Sequence, residues 1–122
     1  MMTTAVASTE EIATYLVEQC RQQNWGKVID RFYTDTIVSV EAMAMPNQPA
    51  TTEGFEAVKK ASEEWAANNE VNSVKIGDPI ITGNHFAVTM WLDFTCKMMG
   101  DQSITLEEIV VYEVQNGKIV RQ

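Results

Sequence analysis

Hydrophobic positions follow two periods along this chain, helical in its first half and strand-like in its second. Ser8 followed by Glu11 makes a capping-box pattern, and Ile12, Tyr15, Leu16 and Gln19 share one helical stripe, which predicts a helix over residues 9–22. Behind Asn24 as a cap, Trp25, Val28, Ile29 and Phe32 recur at i, i+3, i+4, i+7 and predict a short second helix ending near Tyr33. Asp35 then opens a turn into a strand over residues 36–42. One face of that strand carries Val38, Val40 and Ala42, and the other Ile37, Ser39 and Glu41. Pro46 and Pro49 mark residues 43–52 as an irregular loop, whose Met43 and Met45 thioethers are adaptable enough to line a pocket mouth. Phe55, Val58, Ser62 and Trp65 place a third helix over residues 54–69.

After Glu70 the pattern is that of strands. Residues 71–76 lead to a Gly77-Asp78-Pro79 bend, then Ile80-Ile81 and a hairpin signal at Thr82-Gly83-Asn84. Phe86, Val88, Met90, Leu92, Phe94 and Cys96 alternate with His85, Ala87, Thr89, Trp91, Asp93 and Thr95, so the first set is expected to face the helices. Met99-Gly100-Asp101 turns the chain into residues 104–114, and Asn116-Gly117 turns it again into a last strand from Lys118. Helices first and strands afterwards predict a single α+β domain over residues 1–122, with residues 1–7 disordered. Its curved antiparallel sheet wraps as a cone around three helices, and the cone's mouth has room for a small ligand.

The strand over residues 104–114 carries the chemistry. Ile104, Leu106, Glu108, Val110, Tyr112 and Val114 share one face, and five of the six are apolar. A carboxylate in such a row is costly to desolvate, so Glu108 points to a pocket rather than a filled core. A bulge that shifts the register would instead turn Glu108 to water. The opposite face holds Ile109 and Val111 and, from the neighbouring strand, Trp91, His85 and Asp93, which suits a sheet-to-sheet homodimer.

Composition narrows the function classes. A net charge of -8 on 122 residues disfavours nucleic acid and anionic membrane surfaces as partners. The two cysteines, Cys20 and Cys96, are far apart and form no CxxC pair, which fits a reducing cytoplasm. A single histidine excludes a His-rich metal site, and no cofactor motif is present: the six glycines lie mostly at turns.

Three segments, WGKVIDRFYTD (25–35), GFEAVKKASEEW (54–65) and EEIVVYEVQNGKIV (107–120), resemble the SnoaL-like domains of the nuclear transport factor two-like superfamily, relatives of ketosteroid isomerases and polyketide cyclases. The resemblance extends over nearly the whole chain from Thr9. It implies a cone-shaped fold and cofactor-free acid/base isomerisation, cyclisation or dehydration of a small hydrophobic carbonyl compound. Tyr15 matches the family's first-helix tyrosine and Glu108 its late-strand acid, both hydrogen-bond donors to a developing enolate oxygen. The proton-moving position on the first strand falls at Val40, which cannot do that work, and neighbouring Glu41 is the candidate second carboxylate if it turns inward. Catalytic candidates are therefore Glu108, Tyr15 and Glu41, with Trp65, Met90, Phe94, Tyr112 and Val40 as pocket walls. The alternative is a non-catalytic ligand-binding or dimerisation module whose cone is a filled core.

Overall fold

The computed structural model describes residues 5–44 and 49–122. Met1 to Thr4, within the segment expected to be disordered, and Met45 and Pro46 of the expected loop lie outside the described residues. Helices α1 (Thr9–Arg21) and α2 (Trp25–Phe32) come first, then strands β1 (Tyr33–Val40) and β2 (Thr51–Glu53), and helix α3 (Phe55–Asn68). Strands β3 (Asn69–Ile76), β4 (Ile80–Thr82), β5 (His85–Cys96), β6 (Gln102–Gln115) and β7 (Lys118–Arg121) complete the chain, with a single 3-10 turn at Lys97–Met99.

The capping box forms as the sequence implies. Ser8 Oγ accepts from the Glu11 amide at 3.1 Å, and the Ser8 amide donates to Glu11 Oε1 at 3.3 Å. Both free donors are satisfied at a helix end whose acidic first turn also suits the helix dipole. From this start α1 buries Ile12, Ala13, Leu16, Val17 and Cys20, and α2 buries Val28, Ile29 and Phe32. At the other end of α1, Arg21 donates twice to the Ile76 carbonyl, at 2.8 and 3.1 Å, and meets Asp78 at 3.0 Å. The first helix is thereby tied to the bend after β3. Gly77 at that bend sits so close to β5 that an added Cβ would lie 2.2 Å from Thr89 Oγ1, which leaves room for glycine alone.

One seven-stranded sheet runs in the order β2-β1-β7-β6-β5-β3, with β4 pairing β5 beside β3. The β5–β6 hairpin is its spine, in unbroken antiparallel register from His85 opposite Glu113 to Cys96 opposite Gln102. The sheet is mixed rather than wholly antiparallel, because β1 and β7 pair in parallel. The strand after α2 also begins earlier than the sequence suggests. Tyr33 is already in β1, so Asp35 lies exposed within a strand, and an irregularity in the β1–β7 register between Tyr33 and Val38 stands where a turn is expected. β2 is a short strand inside the segment read as loop.

The inward row of β5, from Phe86 to Phe94, is buried at every second position, and with α1, α2 and Val58 of α3 it makes the core. Among the described residues no helix is long and apolar enough to cross a membrane.

Candidate functional site

The inward face of β6 changes character along its length. Tyr112 and Val114 are buried, Ile104, Glu108 and Val110 are half-buried, and Leu106 is 39% exposed. Glu108 therefore lies where the buried part of this row gives way to a more exposed part, directly opposite buried Met90 on β5. Alternation places it there without a bulge: the β5–β6 register shows no shift. Burial raises the Glu108 carboxyl above the ordinary carboxylate range, and the negative charge of Glu41 raises it further.

Deeper in the cone lies a group of hydroxyls. Tyr112 is 4% exposed, its ring stacked on Phe86 at 4.8 Å between centroids, and burial drives its phenol well above the usual range. Nearby Tyr33, Cys20 and Glu108 push it in the same direction. Among the described residues the Tyr112 hydroxyl has no hydrogen-bond partner. The Tyr33 phenol is likewise raised by burial, and the Cys20 thiol is pushed up to about 12. All three stay protonated near neutrality and act as neutral donors. Tyr33 donates to Gln122 Oε1, and Gln122 Nε2 donates to Ser39 Oγ at 3.0 Å.

The sequence candidates are dispersed. Met90 and Phe94 are buried on the inward face of β5, Tyr112 on that of β6, and Trp65 of α3 meets Phe94 edge-on at 5.3 Å. Val40 does not line the cone. It is 43% exposed, whereas Ile37 and Ser39 are buried, so at the end of β1 Ile37 and Ser39 point inward and Val40 outward. Glu41, just past the strand end, is exposed, and its charge still reaches Glu108. Tyr15 packs elsewhere, in the seam between α1 and α2. Its ring lies edge-on to Phe32 at 5.3 Å, and the Arg31 guanidinium sits 4.6 Å over it. The phenols electrostatically coupled to Cys20 are instead Tyr33 and Tyr112, and Glu108 also acts on Tyr112.

Sequence reasoning missed Tyr33, Ser39 and Gln122. The signal for Ser39 was its place two residues from Ile37 on one strand face; the register irregularity between Tyr33 and Val38 leaves Tyr33 outside that alternation. No signal marked Gln122.

The outer sheet face is also distinctive. Ile80, Ala87 and Val111 form one cross-strand row, Thr89 and Ile109 the next, and Lys75, Trp91 and Glu107 the third. Ile80 is 68% and Ile109 69% exposed. His85 pairs with Glu113 at 3.6 Å, and Asp93 accepts from Ser103 at 2.8 Å, so both are engaged on this face rather than in the cone. No group of three or more potential metal ligands occurs among the described residues.

Comparison with known proteins gives a consistent family. The family model for the SnoaL-like domain matches residues 7–122. A protein from Mesorhizobium loti, provisionally assigned as a SnoaL-like polyketide cyclase, is 31% identical, with a TM-score of 0.87 over 94% of this chain and 96% of that one. A provisionally assigned isomerase from Bacillus subtilis shares the fold at 15% identity, with a TM-score of 0.73 over 94% and 86% of the two chains. So does a protein of ketosteroid isomerase-like fold from Catenulispora acidiphila, in complex with trimethylamine, at 17% identity and a TM-score of 0.67 over 93% and 83%. No match was found among curated proteins.

Proposed function

The chain belongs to the SnoaL-like domain family, and on that premise we propose that its cone binds a small hydrophobic carbonyl compound and performs acid/base isomerisation, cyclisation or dehydration without a cofactor. The observation that carries this is the half-buried Glu108, its proton affinity raised by burial and by Glu41. A carboxyl whose proton affinity is raised, with a second carboxylate acting on it, offers an acid and a base in one place.

In this reading the protonated Glu108 and the Tyr112 hydroxyl donate hydrogen bonds to the ligand's carbonyl oxygen. Ionised Glu41 takes a proton from the adjacent carbon. The electron pair of the broken C–H bond moves to the oxygen as an enolate, which the two donors stabilise more strongly than the ground-state carbonyl. Return of the proton at another carbon completes an isomerisation, whereas loss of a hydroxyl as water completes a dehydration. The apolar walls Met90, Phe94, Leu106 and Ile104 keep water away and hold the hydrocarbon part of the ligand. The isomerase and cyclase assignments of the structural relatives agree with this class of chemistry. Glu108→Gln is the test: it keeps the shape and removes the titrating proton. Turnover of a carbonyl ligand found by screening is expected to fall about 100-fold or more; unchanged turnover and binding overturn the role of Glu108.

A second reading, a dimerisation module working through the outer sheet face, is favoured by exposed Ile80, Ile109 and Val111 beside Trp91. With the two-fold axis along β5, Lys75 on β3 faces the Glu107 position of a second copy on β6, and apolar rows meet apolar rows. Sedimentation as a dimer that Ile109→Asp converts to monomer supports this interface. A wild-type monomer removes it.

A further inference from the structure

We infer that Gln122 is a positioning residue that leaves one hydroxyl proton free inside the cone for a ligand's carbonyl oxygen. This role rests on the carbonyl-binding reading above. Three groups, the Tyr33 phenol, the Gln122 amide and the Ser39 hydroxyl, are joined by two hydrogen bonds. An amide offers an acceptor at one end and donors at the other, so it serves the two hydroxyls unequally. With Oε1 toward Tyr33, the phenol spends its proton on Gln122, and Ser39 accepts from Nε2 while keeping its own proton. With the amide turned over, Ser39 spends its proton and Tyr33 keeps one. Either way a single hydroxyl proton is left over.

That proton is enclosed. Ser39 is 8% exposed and lies on the inward parity of β1 between Ile37, which is fully buried, and the Glu41 position. Among the described residues neither the Ser39 nor the Tyr33 hydroxyl donates to any further group. A buried donor without an acceptor costs free energy unless something fills the place, so the arrangement suits an incoming oxygen that accepts and has no proton to give. The backbone holds the amide in register. Gln122 donates from its own amide to the Val38 carbonyl at 3.0 Å, and its carbonyl accepts from the Val40 amide at 2.9 Å. Gln122 is thereby fixed beside β1, and its side-chain amide is held at both ends by the two hydroxyls. A ligand carbonyl is preferred over a hydroxyl or amine of equal size, because those groups also accept but bring a proton of their own that would need a further acceptor.

Gln122→Glu separates this role from a structural one. The substituted side chain has nearly the same shape, but its ionised carboxylate accepts from both hydroxyls, so no proton remains for a ligand. Protonated, it again has one donor and one acceptor and restores the leftover proton. The probe is cyclohex-2-enone labelled with carbon-13 at the carbonyl, titrated by NMR into wild type, Gln122→Glu and Glu108→Gln. Gln122→Glu is expected to bind it about ten-fold more weakly than wild type at neutral pH, with an upfield-shifted carbonyl carbon, and to recover on acidification. Equal affinity and equal carbonyl shift in Gln122→Glu and wild type, in a folded variant, overturn the inference.

Glu108→Gln tells the two levels apart: if it leaves the probe's binding unchanged while Gln122→Glu weakens it, the role of Glu108 fails and that of Gln122 stands. Crystal structures of ligand-free wild type and Gln122→Glu give a readout that needs no ligand. Wild type is expected to show an ordered water on Ser39 Oγ or Tyr33 Oη in addition to Gln122. Absence of that water in wild type, or its presence in both proteins, also overturns the inference.

Discussion

The two halves of β6's inward face carry the same alternation and do different work. At one end Tyr112 and Val114 lie under the core, with Phe86 stacked on Tyr112, and β7 pairs alongside at Glu113–Gln115. At the other end β7 no longer pairs with β6, and Ile104 and Glu108 are only half-buried and Leu106 exposed. A period-two pattern fixes which side a residue faces. Whether that side is packed depends on how far the neighbouring elements reach. The difference teaches that one strand can carry both packed core and the candidate acid, separated by only a few residues.

The sharpest way to break the comparison is to empty each half in turn. Phe86→Ala in the closed half is expected to cost about 3–5 kcal/mol, measured by chemical denaturation, because it removes a 1% exposed ring and leaves a cavity against Tyr112. Leu106→Ala in the open half is expected to cost less than about 1 kcal/mol, since the side chain is 39% exposed already. Its effect belongs on ligand affinity. Equal losses in the two variants mean that both halves are filled core.

The smallest expected effect is a dependence on pH. The Glu108 carboxyl is raised above its unfolded value, so folding favours its protonated form. That contribution is fully present below the unfolded pKa and is lost as pH rises through the raised folded value. Wild type is therefore expected to lose stability relative to Glu108→Gln across this window, with the gap constant above it. A gap independent of pH, followed by denaturation across the acid range, means that Glu108 is solvated.

Much of the fold was legible in the sequence because periodicity and turn chemistry agree. The Ser8–Glu11 box, the bend at Gly77 and the two hairpins around β5 occur where their residues imply. Asn116 and Gly117 take the two positive φ values, 51° and 73°, that a tight turn requires between β6 and β7. β1 was harder. Its apolar Val38 and Val40 read as the inward set, yet Ile37 and Ser39 are the buried pair. Polarity misleads at this strand because part of the cone wall is itself polar, with Ser39 accepting from Gln122.

The parallel β1–β7 pairing joins residues 33 and 119 across most of the chain, and no local pattern announces it. It is also what brings Gln122 beside Tyr33 and Ser39. Tyr15 shows the converse: a phenol on a helical stripe says nothing of which seam it enters, and here the Arg31 guanidinium and the Phe32 ring claim it.

The central claim is that Glu108 stands in an apolar mouth opposite a second carboxylate. Carbon-13 NMR of the side-chain carboxylates, with Glu108→Gln to assign the signal, tests it directly. The free side chain titrates near about 4.3. The account predicts a Glu108 pKa clearly above that value, which falls back toward it in Glu41→Gln as the facing charge is removed. A pKa at the free value, unmoved by Glu41→Gln, contradicts the account and leaves the outer sheet face as the working surface.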